Sequence, residues 1–149
     1  MSQEYPLQIL LAEDNIVNQK VALLLLAQMG YKADVVLNGI QVIEALHRQS
    51  YDVILMDMQM PEMDGLTATR CICQEWQKEV RPRIIAMTAN AMEGDREACL
   101  AAGMDDYISK PIRTEVLVQA LTNTPKLSTI DRQQESLIKL ENLPTNLVN

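Results

Sequence analysis

Five short apolar runs punctuate this chain, and four of them run straight into residues that can do chemistry. The runs are Ile9–Ala12, 35–37, 53–56, 84–87 and the shorter 107–108. They are brief, nearly continuous and rich in branched side chains, the pattern of strands buried on both faces of a parallel sheet. Amphipathic stretches lie between and after them, over roughly 16–29, 39–49, 65–79, 93–102 and 113–122. Gly30 and Gly103 stand where helices stop, and Asn38 and Asp64 stand where N-caps belong. Alternating strands and helices predict an α/β fold, a five-stranded parallel sheet with helices on both faces.

In a parallel sheet the C-terminal ends of all strands point the same way, and ligands of open sheets bind in the crevice there. Glu13 and Asp14 follow the first run, Asp57 the third, Thr88 the fourth, and Lys110 comes just after the fifth. Three carboxylates, a hydroxyl and an ammonium are therefore expected at one mouth. Carboxylates that crowded repel one another, and at least one keeps a proton unless a cation intervenes. Hard oxygen donors without neighbouring His or Cys select Mg2+, with Mn2+ or Ca2+ as alternatives. The formal charges of three acids, a divalent ion and Lys110 cancel, which leaves a site able to accept a phosphoryl group. Phosphoryl transfer needs mainly positioning and charge stabilisation, and an Asp carboxylate can be the nucleophile, giving an aspartyl phosphate.

Composition narrows the classes further. The chain has 149 residues, 48% of them apolar, enough for one packed domain. The whole net charge of −7 falls in residues 1–124, while 125–149 carry three bases and three acids. An acidic body disfavours direct nucleic-acid binding. No apolar run reaches the ~20 residues that cross a bilayer, so no membrane contact is expected. The start, Met-Ser-Gln-Glu-Tyr-Pro, does not read as a signal peptide. Three cysteines, Cys71, Cys73 and Cys99, fit reduced thiols and a cytoplasmic location. Cys71 and Cys73 sit about 200° apart around a helix and read as packing residues, not as a ligand pair. A boundary falls near Thr124-Pro125: 1–124 is expected as the domain, and 125–149 as a linker or tail, partly helical or opening a further domain.

The residues at the strand ends resemble a known family, the receiver domain of two-component response regulators with its chemotaxis-Y-like, flavodoxin-like fold. The likeness covers about residues 7–122. It rests on Ala12-Glu13-Asp14-Asn15, on the segment from Met56-Asp57-Met58-Gln59 through Met60-Pro61-Glu62-Met63-Asp64-Gly65, on Met87-Thr88-Ala89-Asn90 and on Asp106-Tyr107-Ile108-Ser109-Lys110-Pro111. Asp14-Asn15-Ile16-Val17-Asn18 and Thr88-Ala89-Asn90-Ala91-Met92 further resemble receivers of hybrid histidine kinases.

The resemblance implies strand order 2-1-3-4-5 and a set of roles. Asp57 would take the phosphoryl group from a phosphohistidine on a histidine kinase or histidine phosphotransfer protein. Glu13, Asp14 and Asp57 would hold Mg2+, with the backbone carbonyl of Gln59. Lys110 and Thr88 would bind phosphoryl oxygens, and Thr88 and Tyr107 would switch. Gln59 and Asn90 would tune phosphate lifetime, and Lys110-Pro111 would be cis. Glu13 departs from the commoner Asp, one methylene longer, which suits ligation through water. A homodimer through the fourth- and fifth-helix face is one arrangement the family uses.

Other residues carry less. His47, the sole histidine, reads as a half-exposed helix residue, and Trp76, Tyr31 and Tyr51 as packing. Isolated glycines disfavour a nucleotide-binding loop. The rival to a phosphorylatable signalling module is a Mg2+-dependent phosphohydrolase resembling the haloacid dehalogenases. Those carry a second acid two residues after the nucleophile, and Gln59 cannot serve as that acid. A pseudo-receiver is disfavoured by the complete set of acids, Thr88 and Lys110. As an isolated chain, the protein is expected to act by binding and not as an enzyme.

Overall fold

The computed structural model describes residues 7–89 and 93–124. Five strands alternate with five helices: β1 (Ile9–Ala12), α1 (Ile16–Gln28), β2 (Ala33–Val36), α2 (Gly39–Arg48), β3 (Val53–Asp57), α3 (Gly65–Glu75), β4 (Arg83–Thr88), α4 (Glu93–Ala102), β5 (Asp106–Ser109) and α5 (Thr114–Thr122). All pairings are parallel, in the order β2-β1-β3-β4-β5. This is the α/β architecture expected from the alternation, in the expected strand order.

Successive side chains of a strand point to opposite faces, and each central strand fills two cores. Leu10, Ile54, Met56, Ile84 and Ala86 pack toward α2, α3 and α4, with Val42, Ala68, Ile72 and Cys99. Ile9, Leu11, Val53, Leu55, Ile85 and Met87 pack toward α1 and α5, with Ala22, Leu26, Leu117 and Leu121. Each fully buried Ile or Leu contributes roughly 1.5–3 kcal/mol of transfer free energy, so the middle strands form the rigid plate on which the mouth is built.

The helix starts follow from capping. Asn38 and Asp64 accept hydrogen bonds from Gln41 N and Thr67 N, as N-caps do. Gly30 (φ 84) and Gly103 (φ 112) end α1 and α4 in the left-handed conformation.

Two expectations need correction. The run at 35–37 is not buried on both faces: β2 is an edge strand, Val35 is 36% exposed and Leu37 lies beyond the strand at 46%. An edge strand has a neighbour on one side only, so branched residues there signal extended backbone and not depth. The third helix ends at Glu75, short of 79. Trp76 leaves the helix in an extended conformation (φ −117, ψ 140). Its ring packs on His47 at 5.0 Å between centroids, and a turn bonded to the Gln77 carbonyl carries the chain to Arg81. His47 itself lies on α2, with Nε2 2.6 Å from Glu75 Oε2. Tyr31 and Tyr51 are buried as packing residues. The cysteines divide: Cys99 is buried in the core, whereas Cys73 is exposed and only grazes Gly103. Residues 125–149 lie outside the described part. Among the described residues no helix is long and apolar enough to cross a membrane.

Candidate functional site

The register sets the mouth. Ala12 pairs with Met56, so Glu13 stands level with Asp57; Asp57 pairs with Met87, and Thr88 with Ser109. Four strands thus deliver Glu13, Asp57, Thr88 and Lys110 to one edge. They line a cleft of about 840 Å³ together with Asp14 and Gln59.

Glu13 is 1% exposed and held from four directions. Its N–H donates to Val36 O at 3.0 Å, and its carbonyl accepts from Gln19 Nε2 at 2.6 Å. Its carboxylate accepts from Asn15 N at 3.1 Å through Oε2 and from Lys110 Nζ at 2.9 Å through Oε1. Asn15 also caps α1 through Asn18 N. Asp57 is 7% exposed, with Oδ1 3.1 Å from Lys110 Nζ. Behind it the backbone leaves no room: a Cβ at Gly65 would run into the Asp57 carbonyl oxygen, so glycine is needed where α3 begins.

The electrostatics follow from burial. Desolvation pushes the Glu13 carboxyl above its ordinary value; Lys110 pulls against this, and nearby Asp57 reinforces it. Burial alone would lower the Lys110 ammonium, but its hydrogen bonds to Glu13 and Asp57 outweigh that and raise it. Lys110 is therefore a permanent cation among acids that one positive charge does not neutralise.

One carboxylate oxygen from each of Glu13, Asp14 and Asp57 comes within 4.8 Å of the others. Asp14 is exposed, which leaves its oxygens open toward the cleft. An oxygen-only donor set of excess negative charge suits a hard divalent ion, so the residues present fit Mg2+.

The other expected residues fall as follows. Thr88 is buried at the cleft, and its carbonyl accepts from Lys110 N at 2.7 Å. Lys110-Pro111 is cis, as expected. Gln59 is exposed at the rim, its N–H 3.4 Å from Asp57 Oδ1. Tyr107 does not line the cleft; it is half-buried, with Arg96 Cζ 5.5 Å from its ring centre. Asn90 lies outside the described residues. Sequence reasoning missed Gln19 and the capping role of Asn15. The polar pair Asn15 and Gln19, one helical turn apart beside the acidic pair, was the available signal.

Comparison with known proteins agrees with this geometry. The model of the response regulator receiver domain matches residues 9–122. Histidine protein kinase 1 of Candida albicans is 46% identical over 131 residues, covering 82% of this chain and 5% of the kinase. Hybrid signal transduction histidine kinase H of Dictyostelium discoideum is 46% identical over 121 residues, covering 78% of this chain and 9% of that protein. The chain thus spans a small part of the length of these relatives. Among solved structures, the receiver domain of a sensor histidine kinase from Pseudomonas aeruginosa is 47% identical with a TM-score of 0.70, covering 77% of this chain and 93% of that one. That structure holds a magnesium ion coordinated in its active-site cleft.

Proposed function

Because the chain belongs to the response regulator receiver domains, the modules of histidine-kinase phosphorelays, we propose that Asp57 is its phosphoacceptor. The observation that carries this is Lys110 Nζ placed 3.1 Å from Asp57 and 2.9 Å from Glu13, beside Asp14. In this reading a carboxylate oxygen of Asp57 attacks the phosphorus of a phosphohistidine presented by a histidine kinase or histidine phosphotransfer protein. The new O–P bond forms as the N–P bond breaks, and the imidazole leaves with the electron pair.

Glu13, Asp14, Asp57 and the Gln59 carbonyl would hold Mg2+, which supplies positive charge for the phosphoryl oxygens. The remaining work belongs to the chain. Lys110, tethered through its own N–H to Thr88, turns from Glu13 toward a phosphoryl oxygen. The Thr88 hydroxyl takes another, and Tyr107 moves into the space that Thr88 leaves. The added charge of about −2 shifts the population of the α4–β5–α5 surface. Gln59 and Asn90 flank the path of the water that ends the state. The module labels itself once and signals by binding, without turnover.

The test is incubation with acetyl phosphate and Mg2+, read by intact mass. The wild type is expected to gain one phosphoryl group; Asp57→Asn or a chelator is expected to abolish the gain. Full labelling of Asp57→Asn would overturn the assignment.

A further inference from the structure

The loop that leaves Asp57 is fastened to the turn that opens α2, by residues with no part in the chemistry above. Asn38 is 7% exposed and uses both ends of its amide. Its Oδ1 accepts from Gln41 N at 2.9 Å, while its Nδ2 donates to Glu62 Oε2 at 3.1 Å. Beside it, Gly39 N donates to Met63 O at 2.8 Å, and Gln41 Oε1 accepts from Leu37 N at 2.8 Å. A side-chain bond and a backbone bond thus join the turn to the loop. At its base the loop is closed by Gly65 N on Met58 O at 3.1 Å.

Glu62, at the far end of this loop, has φ 66, the left-handed region that a residue with a Cβ adopts at a cost. Such a conformation persists where its surroundings over-determine it. Here those surroundings are Asn38 and the N-terminus of α2, an end of a helix that favours a carboxylate. Between the closed base and the fastened end lie Gln59, Met60 and Pro61.

We infer that Asn38 and Glu62 form a latch that fixes the Asp57 loop in its ion-binding shape. Both are then positioning residues for phosphoryl uptake, Asn38 acting across 24 residues of sequence. The inference rests on the reading of Asp57 and Mg2+ above. It accounts for a buried asparagine that spends its amide on an exposed glutamate, and for the strained backbone at that glutamate.

Three single variants, and the double variant Asn38→Ser with Glu62→Ala, test it in the full chain. Glu62→Ala removes the acceptor. Asn38→Ser keeps an N-cap for α2 but is too short to hold Glu62. Glu62→Gln keeps an acceptor oxygen. The readouts are the Mg2+ dissociation constant by titration calorimetry and the initial rate of labelling by acetyl phosphate, with thermal unfolding alongside. One net hydrogen bond corresponds to roughly a threefold to tenfold change in an equilibrium. Glu62→Ala and Asn38→Ser are each expected to weaken Mg2+ binding by about that factor, the double variant no further than either alone, and Glu62→Gln less than twofold. If either single variant stays within twofold of wild type, even with a lowered melting temperature, the latch is refuted. Losses that multiply in the double variant refute it too. A wild-type protein that takes up neither Mg2+ nor phosphate would overturn the reading of Asp57 and the latch with it; intact wild-type chemistry beside unaffected variants would overturn the latch alone.

Discussion

The two ends of the sheet use charge in opposite ways. At the lower end, where strands begin, buried polar side chains are paired from one strand to the next, with Arg83 Nε the buried polar atom left without a partner among the described residues. Arg81 grips Asp105 at 2.8 and 3.2 Å and also donates to the carbonyls of Pro82 and Gly103. Asp105 in turn accepts from Ile84 N, Asp52 accepts from Gln8 N at 2.6 Å, and the Tyr51 hydroxyl donates to Asp34. At the upper end, Glu13, Asp14 and Asp57 crowd together with Lys110 as the close cation. The lower end closes the gaps between strands. The upper end keeps unmatched negative charge, which costs stability and leaves the site ready for an ion and a phosphoryl group. Polar groups matched within the fold hold it together; the surplus acids of the upper end are available for chemistry.

The largest expected effect is at the lower end. Asp105→Ala strands the guanidinium of Arg81, a group 7% exposed, and the amide of Ile84, so urea unfolding should report a loss of about 3 kcal/mol. Phosphate uptake per folded molecule should be unchanged. Uptake that collapses in folded molecules would mean that the ends are not separable.

Glu13→Gln is the mirror experiment. It removes one acid from the crowd, and the raised proton affinity of Glu13 shows that its ionised form is disfavoured there. Stability measured by urea should hold or rise, while Mg2+ affinity falls at least about tenfold, near 1.4 kcal/mol. A large loss of stability would place Glu13 with the structural charges instead.

Mg2+ at ten times its dissociation constant should stabilise the wild type by about 1.4 kcal/mol, seen as a shift in the urea midpoint. Asp105→Ala should keep the same increment, and Glu13→Gln, binding at least about tenfold more weakly, should keep no more than about 0.4 kcal/mol of it at that concentration. An increment missing from Asp105→Ala would again link the two ends.

The smallest effect is alkaline. Burial first, and then Asp34, raises the Tyr51 phenol above its ordinary 10.0. The unfolded chain therefore releases this proton before the folded one does. The stability it brings is complete below pH 10 and drains away as pH climbs toward the folded value. Between pH 9 and pH 10.5 the loss is about 0.8 kcal/mol, and Tyr51→Phe should lose that much less over the same interval. Equal slopes for both proteins would remove Tyr51 from the matched set.

The contrast also marks what the sequence could reveal. The upper end was legible because each reactive residue follows a buried run, and parallel pairing obliges such residues to meet. β1 and α4 fall where the patterns predicted them. The lower end was not legible: Gln8 and Asp52 are 44 residues apart, Arg81 and Asp105 are 24, and no spacing rule links them. Trp76 reads as helix by periodicity, yet it leaves α3 in an extended conformation with its ring against His47. Val35 reads as core because branched residues suit any strand, and only the sheet order shows it on an edge. Glu62 carries no glycine-like signal, so its left-handed backbone appears only once Asn38 stands beside it.

The central claim is that Asp57 receives phosphorus at the upper end. The direct measurement is transfer from a phosphorylated histidine phosphotransfer protein in Mg2+, followed by borohydride reduction and peptide mass mapping, which converts an aspartyl phosphate to homoserine. The account predicts homoserine at position 57 and at no other acid. Homoserine at position 13 or 14, or transfer to a residue outside the cleft, would contradict it.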